Sequence, residues 1–79
     1  MIFKEYEYSG MRGLIYEFLE KNKDKYYTIE EINKQVFSNR LSNKTIYLYL
    51  YKLRKEFKKI RQIRRDKMYY YFEEVIENV

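Results

Sequence analysis

The stretch "SNKTIYLYLYKLRKEF", residues 42–57, holds six large side chains in succession, from Ile46 to Tyr51. Read as a helix turning about 100° per residue, it sets Ile46, Leu50, Leu53 and Phe57 on one face, with Tyr49 at its edge. Lys44, Tyr47, Leu48, Tyr51, Lys52 and Lys55 fall on the opposite face, with Arg54 flanking. A core needs only the first face. Solvent does not normally meet Tyr47, Leu48 and Tyr51 together, so the second face is expected to contact something outside the subunit. The seam does not continue as a coiled coil. Ile46, Leu50, Leu53, Phe57 and Ile60 keep a 4-3-4-3 rhythm, but the next seam positions are Arg64 and Lys67.

Working backwards from this helix, "SNRLS" (residues 38–42) is a short turn, and Ser42 is placed to cap the helix N-terminus. Before it, Thr28 followed by Glu31 makes a capping box, so a second helix is expected over residues 29–37, burying Ile29, Ile32 and Val36. Tyr26 and Tyr27 precede that box and suit a single short strand. Further back, Met11, Leu14, Ile15, Phe18 and Leu19 fall at i, i+3, i+4, i+7 and i+8, an apolar stripe on a first helix over residues 9–22. Ser9 is the candidate N-cap, and the polar run 21–25 ends the helix. Residues 1–8 alternate loosely and read as a strand or an arm.

Working forwards, "IRQIRR" and "MYYYF" are rich in β-branched or aromatic residues and flank the charged triplet Arg65-Asp66-Lys67. Two antiparallel strands are expected, residues 60–64 and 68–73, joined by a loop looser than a glycine turn. Met68, Tyr70 and Phe72 should cover the helices, with Tyr69 and Tyr71 facing away. The acidic tail, residues 73–79, has Val75, Ile76 and Val79 at helical spacing and is expected to form a last turn against the first helix, in this chain or in a second copy.

Composition narrows the function. The 79 residues suffice for one domain and contain no cysteine, histidine, proline or tryptophan. The commonest nucleophiles, general bases and metal ligands are therefore missing, the carboxylates are scattered, and the two glycines form no phosphate loop. An enzyme is not expected, nor a cofactor or a metal. No apolar run reaches the roughly 18 residues of a membrane span, so a soluble, intracellular protein is expected.

The charge is concentrated. Residues 38–67 carry eleven basic side chains against Glu56 and Asp66, a net +9, while the remaining residues carry six basic and ten acidic groups, a net −4. Such asymmetry points to a polyanion bound by one part of the molecule. Amphipathic side chains interleaved with lysines suit a groove with an apolar, hydrogen-bonding floor and phosphate walls. The outward face of the third helix is therefore expected to read DNA. The competing reading packs Leu48 and Tyr51 on a partner helix.

The order helix, short strand, helix, turn, helix, hairpin resembles a winged helix-turn-helix domain, an α+β fold of three helices and a C-terminal β-hairpin wing. The likeness is carried by "LSNKTIYLYLYKLRKEFKKIRQIRRDKMYYYF", residues 41–72. Ser42 stands as the capping serine, Thr45-Ile46 as the following pair, Leu50 and Leu53 as the recurring leucines, and Tyr69 to Phe72 as the last wing strand. It covers residues 9–72 and departs from the pattern where Lys58 and Lys59 replace the glycine that commonly ends the third helix. Size and a Lys/Ile/Tyr/Asn-rich composition are also similar to regulators encoded by archaeal viruses and plasmids. The resemblance implies a helix over residues 43–58 in the major groove and a wing over residues 60–72 on the backbone or minor groove. It puts Asn43, Lys44, Thr45, Tyr47, Leu48 and Tyr51 nearest the bases. Arg40, Lys52, Lys55, Arg61, Arg64, Arg65 and Lys67 would neutralise phosphates, setting affinity and register but not sequence.

Three functions follow for testing. The first is a sequence-specific double-stranded DNA-binding regulator, a homodimer through helix one or the tail, with recognition helices about 34 Å apart. The second is a protein–protein adaptor using the same surface. The third is single-stranded nucleic-acid binding by exposed tyrosines.

Overall fold

The computed structural model describes residues 10–74. Three helices, α1 (Met11–Lys21), α2 (Ile29–Phe37) and α3 (Asn43–Glu56), are followed by two strands, β1 (Ile60–Arg64) and β2 (Met68–Phe72). The strands pair antiparallel, with Ile60 opposite Phe72 and Arg64 opposite Met68, so Arg65, Asp66 and Lys67 form the loop. Tyr27 adds a single bridge to Tyr70 on the other side of β2, through reciprocal backbone hydrogen bonds of 3.0 and 2.7 Å. The class is α+β.

The helix starts follow local chemistry. At α2 the Thr28 amide donates to Glu31 Oε1 (2.8 Å) and the Glu31 amide donates to Thr28 Oγ1 (3.2 Å), the reciprocal box expected from the sequence. At α3 the Thr45 amide donates to Ser42 Oγ at 3.1 Å. The first helix differs from expectation. Its N-cap is Gly10, at φ +83°, with no side-chain cap, rather than Ser9, which lies outside the described residues. That backbone angle suits a residue without Cβ.

The α2–α3 turn takes two consecutive residues into left-handed backbone, Ser38 at φ 54° and Asn39 at φ 63°. This reverses the chain within a few residues, and the Asn39 amide donates back to the Asn33 carbonyl at 3.0 Å. Asn33, on the inner side of α2, completes the turn. Its Nδ2 donates to the Leu41 carbonyl (2.6 Å) and to Asn43 Oδ1 (3.1 Å).

The core joins Ile15 and Leu19 of α1, Ile32 and Phe37 of α2, Ile46, Leu50 and Leu53 of α3, and Ile60, Tyr70 and Phe72 of the hairpin. Three details correct the sequence reading. Met11 and Leu14 are 42% and 48% exposed, because α1 turns Tyr16 inward instead, against Phe57 (ring centroids 4.8 Å) and Phe72 (5.8 Å). Ile29 and Val36 are only half-buried, and Asn33 and Phe37 take the inner positions on α2. The third helix stops at Glu56, so the expected range 43–58 is too long. Phe57 closes it in extended backbone (φ −125°, ψ 120°), and no glycine is needed there.

The second strand ends at Phe72, one residue early. Of the tail, Glu73 and Glu74 are described: Glu73 pairs with Arg61 (2.9 Å), and Glu74 with Lys23 (2.9 Å) and Lys59 (3.8 Å). The expected arm (residues 1–8) and the rest of the tail (residues 75–79) lie outside the described residues. No described helix is long and apolar enough to cross a membrane.

Candidate nucleic-acid interface

Ile46, Leu50 and Leu53 are completely buried, which fixes the rotation of α3 about its axis. The opposite side must then face out, and it does. Tyr47, Leu48 and Tyr51 are 49%, 47% and 44% exposed, and Lys44, Lys52 and Lys55 are exposed around them. Lys55 Nζ lies 5.4 Å from the Tyr51 ring centroid, so cation and aromatic face share one patch.

The hairpin runs back alongside this helix. Fourteen residues of α3 rise about 21 Å, and five residues of β1 return about 17 Å. The loop therefore comes back beside the start of α3, where Ile29, Glu30, Asn43, Lys67 and Met68 line an open depression of about 290 Å³. At the other end a groove of about 570 Å³ opens between Arg54 and Lys58 on the helix side and Ile60, Arg61 and Gln62 on the strand side. Burial pushes the Tyr70 phenol above its ordinary pKa; Arg54 opposes that shift, Tyr47 adds to it, and Arg64 opposes it. Strand alternation puts Arg64 on the same sheet face as Gln62, which lines the groove with Arg54.

Not every candidate joins this flank. Strand alternation turns Arg61 and Ile63 to the other sheet face with Tyr69 and Tyr71. Arg61 borders the groove but is paired with Glu73. Arg65 stands over the Tyr26 ring at 5.7 Å, and Tyr26 packs on Tyr71 at 4.6 Å, so Arg65 belongs to that second face. Tyr69 donates to Asp66 Oδ1 (3.1 Å), and this bond, ahead of burial, raises its pKa. Arg40 is exposed in the α2–α3 turn.

Two candidates at the start of α3 are already engaged. Asn43 Oδ1 accepts from Asn33, and Thr45 Oγ1 is hydrogen-bonded to Ser42 Oγ at 2.9 Å. Asn33 and Lys58 were not legible as site residues from the sequence. The one signal for Asn33 was a polar residue beside Ile32 on the inward side of α2. Among the described residues, no group of three or more carboxylate, cysteine or histidine side chains is arranged to hold a metal ion. No protein-family model matches the chain, and no curated protein and no solved structure matches it either.

Proposed function

We propose that this chain is a winged helix-turn-helix protein that binds double-stranded DNA as a transcription regulator, with α3 as the recognition helix and the β1–β2 hairpin as the wing. One observation carries the reading. The side of α3 opposite the core exposes Tyr47, Leu48 and Tyr51 among lysines; Arg54 lines the groove beside the hairpin, strand alternation puts Arg64 on the sheet face that borders it, and Lys67 stands by the start of the helix. A surface that is apolar and hydrogen-bonding at its centre and cationic at its edges suits a major groove with phosphates on either side. A homodimer is part of the proposal. Met11 and Leu14 leave an exposed apolar patch on α1, and a two-fold pair would present recognition helices to half-sites about 34 Å apart.

The test is duplex binding measured by fluorescence anisotropy across a salt series. With about six phosphate contacts, log affinity should fall against log salt with a slope of about −5. Arg64→Ala should reduce that slope by about one, uniformly across sequences. Arg61→Ala should do less, because Arg61 is already paired with Glu73 at 2.9 Å. A slope near zero would defeat the reading. Loss of a protein partner on Tyr47→Ala and Tyr51→Ala, with Arg64→Ala and Arg65→Ala harmless, would favour the adaptor instead. Preference for a single strand over a duplex of equal length would favour the stacking platform.

A further inference from the structure

We infer that the duplex read by α3 is rich in A·T pairs, recognised through thymine methyl groups packed on Tyr47, Leu48 and Tyr51. This deepens the DNA-binding reading and rests on it. The hydrogen-bonding groups best suited to reading bases are absent from the outward face of α3 or already held. An asparagine that reads adenine presents its amide oxygen and nitrogen together to N6 and N7. Asn43 instead has its oxygen turned back to Asn33 Nδ2 at 3.1 Å. Asn33 cannot follow it outward, being 4% exposed and anchored to the Leu41 carbonyl at 2.6 Å. The Thr45 hydroxyl is held within the Ser42 cap. No arginine occurs between Leu41 and Leu53, so the forked donor that reads guanine O6 and N7 is missing from the first turns of the helix. Lys44 remains, but a single ammonium donates equally well to guanine, to thymine O4 or to a phosphate.

What is left outward is apolar or amphipathic. Leu48 carries no polar atom beyond its backbone, and in the major groove thymine alone presents a methyl group. Packing Leu48 against that methyl removes both from water. Placed over cytosine or guanine, the same side chain would desolvate an amino or carbonyl group without replacing its hydrogen bond. Tyr47 and Tyr51, one turn apart on the stripe beside Leu48, extend the contact along the groove floor.

The experiment begins with duplexes selected from a random pool by the full chain. The best site is then remade with deoxyuridine in place of every thymidine, which deletes the methyls and keeps the pairing. An A·T-rich site is expected, and the uracil duplex should bind at least tenfold more weakly, at about fourfold per contacted methyl. Leu48→Ala should keep the wild-type melting temperature and lose most of its share of that discrimination. A G·C-rich site, a uracil duplex bound as tightly as the thymine one, or discrimination unchanged in Leu48→Ala, Tyr47→Ala and Tyr51→Ala would each overturn the inference. Salt-dependent duplex binding that ignores uracil sinks this inference alone. The absence of duplex binding sinks the DNA-binding reading itself.

Discussion

Asn33 is the residue on which the α2–α3 junction turns. Its buried carboxamide gives both its hydrogen bonds from Nδ2, leaving Oδ1 buried without a partner. A flipped amide would set Oδ1 against the Leu41 carbonyl, two acceptors at contact distance, so the orphaned oxygen is the cheaper arrangement. Asn33→Ala should cost about 1–3 kcal/mol, since it strands the Leu41 carbonyl and frees Asn43. A urea midpoint that does not move would show that the turn holds without it. Tyr70 makes a second residue-level prediction, on pH. Burial raises its pKa, so the fold favours the neutral phenol. Stability should therefore be whole below the ordinary tyrosine value of about 10 and fall as pH rises from there through the raised folded value. Tyr70→Phe should flatten that alkaline decline, as read by denaturant unfolding at stepped pH. An equally steep decline in the variant would assign it to other groups.

At the scale of elements, α3 has a buried and an exposed apolar face, and a pair of leucines two positions apart separates them. Leu50 is completely buried in the core, whereas Leu48 is half exposed. Leu50→Ala should lose about 2–5 kcal/mol through transfer and cavity terms. Leu48→Ala should stay within about 0.5 kcal/mol of the parent chain. Equal losses by thermal unfolding would mean that the outward face is structural. The hairpin contributes in a comparable divided way. Ile60, Tyr70 and Phe72 seal the core from one side of the sheet, while Tyr71, Tyr69 and Ile63 stay half exposed on the other. Surface pairs such as Arg12–Glu56 (3.9 Å) fasten element ends without deciding stability, because exposed ion pairs are worth about 0–1 kcal/mol.

For the whole molecule, the questions are association and charge. A chain of this size buries only about 60% of its unfolded surface, and Met11 and Leu14 leave an exposed apolar patch on α1. If that patch joins two copies, Leu14→Glu should convert a dimer to a monomer in sedimentation velocity and leave the thermal unfolding of the subunit in place. A monomer for both proteins would remove the two-fold site from the proposal. The basic block divides between surfaces. Lys52, Arg54, Lys55, Arg64 and Lys67 stand on the α3 side, whereas Arg61 is tied to Glu73 and Arg65 to Tyr26. Fewer cations serve the proposed DNA face than the net +9 of residues 38–67 suggests.

What was legible beforehand was local. The Thr28–Glu31 box, the Ser42 cap, the inner seam of α3 and the pairing of residues 60–64 with residues 68–72 each depend on side chains a few positions apart, and neighbours along the chain can be read in order. Which side of α1 faces inward was not local. Met11 and Leu14 fit the helical period as well as Tyr16 does, and the rings of Phe57, from the end of α3, and Phe72, from the hairpin, decide between them. The same holds for Asn33, for Arg61 and for the approach of Arg54 to Ile60 and Gln62 across the groove. Each depends on the angle at which separate elements cross, and that angle is set by packing the whole core at once.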